Sequence, residues 1–79
     1  MKFESSASKH GYTLDDVLYA VAHVIDMQSF TQAGVQYIKL VGDHHGDSLV
    51  PRLEIIMKRD KTGRIHVFHV NALQDNFMN

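Results

Sequence analysis

The pattern of apolar residues divides the chain into a helical first part and a second part that is typical of β-strands. From Leu14 to Ile25 apolar residues recur every three or four positions, which indicates an amphipathic helix. Thr13 precedes this run and Asp16 follows three residues later, a spacing that predicts a capping box at the helix start. The apolar stripe consists of Leu14, Val17, Leu18, Val21 and Ile25. We therefore predict a helix that begins after Thr13 and continues through Ile25.

A shorter helix is predicted ahead of this one. Phe3 and Ala7 are four residues apart, and Gly11 suits a left-handed cap, so residues 4–10 are expected to be helical. In that arrangement His10 closes the first helix against its glycine cap. We favour this structural role for His10 over a place in the functional site.

After Asp26 the pattern changes to an alternation of apolar and polar residues, which predicts strands. The predicted strands are MQSFT, VQYIKLVG, RLEIIMKRD and RIHVFHVNAL, and the connections are QAG, DHHGDS and DKTGR. A helix that buries its stripe on one face of an antiparallel sheet leaves the other face open. The expected fold class is α+β, with one or two N-terminal helices packed on a three- to four-stranded antiparallel sheet. The expected order is helix, helix, strand, strand, strand.

Size and composition limit the classes of protein that fit. With 79 residues the chain is expected to be one domain, 1–79, because so short a chain cannot be divided into two cores. The absence of cysteine excludes disulfides, thiolate zinc ligands and a cysteine nucleophile. No apolar run reaches the ~18 residues of a membrane span, and no signal peptide is recognisable, so a cytoplasmic protein without membrane contact is expected. The formal net charge of −1 means that nucleic-acid binding must depend on a local group of cations.

The last predicted strand contains two histidines. Strict alternation would place Arg64, His66, Phe68 and Val70 on one face and Ile65, Val67, His69 and Asn71 on the other. We expect Ile65 and Val67 to face the helix, with His69 and Asn71 at the rim of the sheet. We expect His66 to share the outer face with Arg64. A histidine beside an aromatic residue in a strand is more often a packed, hydrogen-bonded side chain than a catalytic one, and both interpretations stay open.

The other histidines give no metal site. His23 is expected on the helix surface. His44 and His45 are adjacent, so their side chains project in different directions, and their loop offers no further dependable ligands. We predict no metal and no cofactor.

Histidine and arginine on neighbouring strands fit one kind of reaction, the cleavage of RNA by its own 2′-hydroxyl. That reaction needs a base for the hydroxyl, an acid for the departing 5′-oxygen and a cation for the phosphate oxygens. Imidazole suits the first two roles near neutral pH, and the guanidinium fork suits the third. The residues in question are His69, His66, Arg64 and Arg52.

Several motifs resemble those of one family. The segment FESSASKHGYTLDDVLYAV, the YIKLVG strand, RLEIIMKRD, a glycine hairpin and the final RIHVFHVNAL resemble BrnT-like toxins and their short actinobacterial-type members. These belong to the RelE/ParE-like superfamily of toxins from bacterial toxin–antitoxin pairs, and the resemblance covers most of the chain. It implies a RelE-like fold and a metal-independent endoribonuclease that cuts mRNA, often on the ribosome. A cognate antitoxin would bind the toxin and so prevent it from stopping growth.

The resemblance also assigns residues. His10 matches the histidine of the KHG motif, and Glu54 matches an acidic residue of the middle strand. Arg64 matches a basic position that opens the last strand, and His69 matches a histidine near its end. Together with the chemistry above, this predicts catalytic roles for His69, His66 and Glu54. The residues expected to bind phosphate or RNA are Arg64, Arg52, Lys39 and Asn71.

The chain departs from the family after the last strand. It reads HVNALQDNFMN, with Asn71 at a position where the family has arginine and with an acidic tail in place of a basic helix. Each missing cation lowers the affinity for a polyanion. The alternative is therefore a divergent, non-catalytic member that binds an antitoxin segment on its open sheet face or edge. A homodimer or a toxin–antitoxin complex is expected for so small a domain.

Overall fold

The chain forms a five-stranded mixed sheet with one α-helix on one face, in a computed structural model that describes residues 1–79. The elements in chain order are β1 (Lys2–Phe3), a 3-10 helix (Ser5–Ser8), α1 (Leu14–Ala22), β2 (Val24–Gln32), β3 (Val35–Asp43), β4 (Arg52–Arg59) and β5 (Ile65–Ala72). The strand order is β1-β5-β4-β3-β2. The pairings β2 with β3, β3 with β4 and β4 with β5 are antiparallel, and β1 pairs in parallel with β5.

The predicted layout of the fold is wrong. The prediction was two helices followed by three or four antiparallel strands. The sheet instead has five strands, because β1 precedes the helices and pairs in parallel with β5. Residues 4–10 contain only the short 3-10 helix, so α1 is the single α-helix. The physical reason lies in β1, which has two residues and pairs Lys2 with His66. A strand this short, whose partner is at the other end of the chain, has no local pattern in the sequence.

Helix α1 begins where the sequence predicts and ends earlier. Thr13 Oγ1 accepts a hydrogen bond from the Asp16 backbone N–H at 3.3 Å, and Asp16 Oδ2 accepts one from the Thr13 N–H at 2.9 Å. This confirms the capping box. The predicted continuation through Ile25 is wrong, because the helix ends at Ala22 and β2 begins at Val24. Val24 and Ile25 are β-branched, and such side chains pack better in strands than in a last helical turn.

The core lies between α1 and the sheet face that α1 covers, which we call the inner face. It consists of Ala7, Val17, Ala20, Leu40, Leu53, Ile55, Met57, Val67 and Val70. The helix lies over β3 and β4. It approaches β3 closely at Gly42, where an added Cβ would be 2.2 Å from the carbonyl oxygen of Ala20. Strand β2, by contrast, is exposed along its whole length.

A β-bulge in β5 changes the faces of the two histidines. Ile56 pairs with His69 and Met57 pairs with Val67, so Phe68 is the extra residue. The alternation therefore shifts by one position after Phe68, and both Val67 and Val70 are buried in the core. His69 then shares the outer face of the sheet with His66. The predicted placement of these two rings on opposite faces, and of Val70 beside His66, is wrong.

The outer face is less open than predicted, because the last residues of the chain cross it. The backbone N–H of Gln74 donates to Glu54 Oε1 at 2.7 Å. We call residues 73–79 the tail. Gln28 Nε2 donates to the carbonyl oxygen of Met78 at 2.9 Å, which holds the tail against β2. No helix of the chain has the length and hydropathy needed to cross a membrane.

Candidate functional site

The central pair of the candidate site is His69 and Glu54 on the outer face. His69 Nε2 lies 2.6 Å from Glu54 Oε2. The two residues are diagonal neighbours on β5 and β4, because the residue directly opposite His69 is Ile56. Glu54 is buried, with 5% of its surface exposed, whereas 32% of the His69 side chain is exposed. The pair therefore presents an imidazole to solvent and keeps its carboxylate partner inside.

Glu54 is held on both oxygens. Oε2 contacts His69, and Oε1 accepts the hydrogen bond from Gln74 of the tail. An ionised carboxylate only accepts hydrogen bonds, so the Nε2 nitrogen of His69 carries the proton in this contact. The Nδ1 nitrogen makes no hydrogen bond within the chain, and in the neutral ring it is the basic nitrogen. The arrangement fixes the ring and leaves one nitrogen free to exchange a proton with a ligand.

A second imidazole, His10, lies next to His69. Their ring centroids are 6.0 Å apart and the rings are nearly perpendicular, at 81°. The 3-10 helix that precedes His10 is tied to β5 where Ser6 Oγ donates to the Phe68 carbonyl at 2.7 Å, at the bulge. The sequence favours a purely structural role for His10, whereas the structure brings it into the site.

Two further residues of the site are Phe77 and Lys39. The Phe77 ring stacks on His69 with 6.2 Å between centroids and an angle of 19°. Lys39 Nζ lies 5.0 Å from the centroid of the Phe77 ring. Phe77 therefore lies alongside the His69 ring, and Lys39 places a cation over the Phe77 ring. Phe77 is not among the site residues predicted from the sequence, where its only signal is one aromatic residue in a polar tail.

Arg52 and Asn71 lie at the edge of this group. Arg52 is two residues before Glu54 on the same face of β4, and it shares with Phe77 a depression of about 290 Å³. Its side chain is 53% exposed, and its Nε is 4.0 Å from Asp43 Oδ1. Asn71 is directly opposite Glu54, and its Oδ1 accepts from the Ala72 N–H at 2.8 Å. Arg52 lies roughly 13 Å along β4 from Ile56, the residue opposite His69, and Asn71 is partly engaged with its own backbone.

His66 lies outside this group, and both of its ring nitrogens are occupied. Nδ1 is 3.1 Å from Glu4 Oε1 and Nε2 is 2.8 Å from Asp60 Oδ2. The hydrogen bond from His66 is the main reason that the pKa of Glu4 is lowered. Hydrogen bonds from Thr62 first, and from His66 second, lower the pKa of Asp60. With no free nitrogen, His66 joins β1 to the β4–β5 turn and is not positioned for the predicted catalytic role.

Arg64 is also distant from His69. It precedes β5, five residues before His69, which corresponds to roughly 15 Å along a strand. Its backbone N–H donates to Asp60 Oδ1 at 3.0 Å as part of the hairpin turn. The predicted phosphate-binding arginine therefore belongs to the turn. Of the predicted site residues, the structure brings together His69, Glu54, Lys39, Asn71 and His10. It places Arg52 at the edge of this group, beside the tail, and it separates His66 and Arg64 from the group.

His44 has a structural position between the loop and α1. Its Nδ1 lies 2.7 Å from the Val50 carbonyl oxygen, and its Nε2 lies 3.3 Å from Asp16 Oδ1. Partial burial by itself would raise the pKa of Asp16, but hydrogen bonds from Thr13 and His44 outweigh it and the pKa is lowered. No three His, Asp or Glu side chains of the chain are grouped so as to hold a metal ion.

Comparison with known proteins gives no match among protein-family models, curated proteins or solved structures. The resemblance to BrnT-like toxins therefore depends on the sequence motifs alone.

Proposed function

We propose that the protein is the toxin of a bacterial toxin–antitoxin pair and that it cleaves mRNA without a metal ion, with His69 as a proton-transfer residue. The observation that carries the proposal is the 2.6 Å contact between buried Glu54 and half-exposed His69. It keeps one nitrogen of an imidazole fixed and the other free, which is what acid–base catalysis near neutral pH requires.

The reaction is a transesterification within the RNA. One imidazole of the His69 and His10 pair takes the proton of a 2′-hydroxyl, and the 2′-oxygen forms a bond to the adjacent phosphorus. The bond from phosphorus to the 5′-oxygen breaks, and the other imidazole, in its protonated form, donates a proton to that oxygen. The products are a 2′,3′-cyclic phosphate and a 5′-hydroxyl, with no net gain or loss of protons. The 6.0 Å between the two ring centroids leaves room for both rings to contact one phosphodiester.

The other residues of the site position the reacting groups. Glu54 holds the tautomer and orientation of His69, and so it is a positioning residue. Lys39 supplies positive charge to the phosphate oxygens, where charge increases during the reaction, and Arg52 binds a neighbouring phosphate of the same RNA further along β4. Phe77 must move off the His69 ring, or offer its own ring to a nucleobase, before RNA can bind.

The partners and the compartment follow from this proposal. Substrate mRNA, free or on the ribosome, would be met in the cytoplasm. A cognate antitoxin that covers the outer face would block His69 and prevent growth inhibition. The alternative function is a non-catalytic module that binds an antitoxin segment on the same face, and the small number of cations around His69 favours it.

Cleavage is tested with purified protein and a short single-stranded RNA labelled at its 5′ end, in the presence of a chelator. We expect the wild type to produce fragments with 2′,3′-cyclic phosphate ends. Loss of acid–base catalysis in His69→Ala should reduce the rate about 100-fold or more. His45→Ala is the matched control, because His45 is an exposed histidine whose ring contacts the rings of Tyr19 and His44 and not that of His69.

The same variants are compared in cells that lack a partner gene, with RNA ends mapped after induction. Wild-type protein should inhibit growth and cut transcripts, while His69→Ala should do neither. Intact RNA with wild-type protein, both in solution and with ribosomes, would refute the nuclease. Binding of an antitoxin segment under those conditions would support the alternative function.

A further inference from the structure

The edge of the sheet formed by β2 has no partner within the chain. Strand β2 pairs only with β3, and the opposite edge of the sheet is closed by the two-residue β1. All nine residues of β2 are exposed. An edge strand normally carries lysine, proline or several charges that prevent pairing with another chain. From Asp26 to Gln32 the only charge is Asp26, whose Oδ1 accepts from the Met27 N–H at 2.9 Å.

The exposed side chains of β2 are apolar on both faces of the sheet. On the inner side, which α1 does not cover, Val24 is 44% and Met27 is 55% exposed. On the outer side, Ile25 is 45% and Phe30 is 62% exposed. A ligand on one face would cover only half of these side chains. A strand added at the edge contributes side chains to both faces and pairs the free backbone groups as well.

We propose that two copies of this chain associate through β2, in antiparallel pairing about a two-fold axis, to give one continuous ten-stranded sheet. The proposal is independent of the nuclease activity. A second copy fits this edge because β2 is nearly neutral. A charged peptide would find almost no opposite charges on β2, because Asp26 is its only charged residue from Asp26 to Gln32. A second β2 strand places no like charges opposite one another when the two strands pair about Ser29.

The register follows from the regular part of β2. The strand pairs with β3 without interruption from Asp26 to Gln32, and a bulge at Ile25 ends the regular part. A symmetric pair that uses this whole run has its axis at the middle residue, Ser29. Met27 of one copy then lies opposite Thr31 of the other, and Phe30 lies opposite Gln28. Asp26 faces the amide of Gln32, so no like charges are opposed.

The area of this contact predicts a reversible dimer. Within the paired run the exposed apolar side chains are Met27 and Phe30, at 55% and 62% exposure. They present on the order of 250 Å² per copy, and the strand backbone adds to it. The total for two copies is below the ~1,200 Å² of standard specific interfaces and is typical of weak ones. We therefore expect dimerisation at high micromolar concentrations, with dissociation on dilution.

Single cysteines test the register directly, because the chain contains none. Residues directly opposite in an antiparallel pair have Cα atoms about 4.5–5.5 Å apart, within disulfide range. Ser29→Cys should therefore form a cross-linked dimer under mild oxidation. Met27→Cys and Thr31→Cys should each fail alone, because identical positions would be roughly 13 Å apart, but an equal mixture of the two should cross-link. Thr62→Cys, in an exposed turn, measures the background.

Sedimentation of the wild type should give a mass twice 9.0 kDa at high concentration, falling towards 9.0 kDa on dilution. Ser29→Lys would oppose two like charges at the axis and should remain monomeric at the same concentrations. Since Ser29 is exposed, the circular dichroism of the variant should be that of the dilute wild type. The proposal is overturned if the wild type is monomeric throughout, or if Ser29→Cys cross-links no faster than Thr62→Cys. Failure of the mixed Met27→Cys and Thr31→Cys pair would overturn the register.

Discussion

The Nε2 nitrogen of His66 lies 2.8 Å from the Asp60 carboxylate, and the Nδ1 nitrogen of the same ring lies 3.1 Å from Glu4. One ring thus joins the start of the chain to the β4–β5 turn. Strand β1 has only two residues to hold it against β5, so this bridge supplements a short backbone pairing. His66 is therefore engaged in a structural bridge, while the bulge between the two residues places His69, three residues later, on the same face with Nδ1 unbonded.

The bridge predicts a loss of stability in acid. The pKa of Glu4 is lowered from its ordinary value of 4.5, and the pKa of Asp60 is lowered from 3.8. A carboxyl whose pKa is lower in the folded state contributes stability above its unfolded pKa and loses it as the pH falls. The free energy of unfolding should therefore decrease from about pH 4.5 downwards.

Urea titrations between pH 2 and pH 7 measure this effect. In His66→Ala the decrease below pH 4.5 should be smaller, because Glu4 loses the main cause of its lowered pKa. Thr62→Ala should reduce the part that comes from Asp60, whose first partner is Thr62. An equal acid dependence in the wild type and His66→Ala would mean that the bridge does not form in solution.

The position of Phe77 beside His69 predicts that it shields the imidazole. Its ring stacks on the imidazole, and the tail that carries it is fixed at Gln74 and Met78. Phe77→Ala should expose the ring and increase the rate at which an imidazole-acylating reagent modifies His69, measured by mass spectrometry. Phe30→Ala removes another aromatic residue of the outer face and serves as the control, with an unchanged rate. If both variants react as the wild type does, Phe77 does not shield the ring in solution.

Local features of this fold could be predicted from the sequence, and non-local ones could not. The capping box at Thr13 and the turn at Asp60 to Gly63 are formed by neighbouring residues, so their signals lie together in the chain. Strand β1 depends on a partner at the other end of the sequence. The bulge at Phe68 reverses the faces of the residues that follow it. The sequence of β5 is equally compatible with uninterrupted alternation, so it does not reveal the bulge.

The same distinction applies to the site. The sequence predicts His69 and Glu54 for one site, and the two side chains do pair. It predicts His66 as the second imidazole of that site. In the structure the imidazole next to His69 is His10, which follows the 3-10 helix that Ser6 binds to the bulge. No pattern within one strand contains this information.

The β2–β3 turn contains a residue, Ala33, whose replacement should stabilise the fold. Ala33 and Gly34 form a two-residue loop with φ angles of +52° and +81°, the signs of a type I′ turn. Alanine in the left-handed region costs about 1–2 kcal/mol, whereas asparagine adopts it more readily. Ala33→Asn should raise the free energy of unfolding by about 0.5–1 kcal/mol and the melting temperature by a few degrees. Ala33→Val should lower both, and a lower melting temperature for Ala33→Asn would contradict this explanation.

The role of Glu54 can be separated from a merely structural one by Glu54→Gln. Glutamine keeps the size of the side chain, but its amide has one acceptor oxygen for the two N–H groups of His69 and Gln74 that now meet a carboxylate. If the amide NH₂ turns to His69, the proton moves from Nε2 to Nδ1 and the free basic nitrogen is lost. We expect RNA cleavage to fall about 10–100-fold, with a stability loss of about 1–3 kcal/mol.

Nitrogen NMR of His69 distinguishes these effects, because it reports which ring nitrogen carries the proton. In the wild type Nε2 should be protonated, and in Glu54→Gln the protonation should move to Nδ1. Glu4→Gln is the matched control, because it makes the same change at the other glutamate of the chain, which contacts His66 and not His69. A loss of stability with an unchanged tautomer and unchanged cleavage would leave Glu54 as a buried structural carboxylate. Because the hydrogen bond is the only contact that distinguishes the two ring nitrogens of His69, the tautomer is the most direct measure of whether Glu54 serves catalysis.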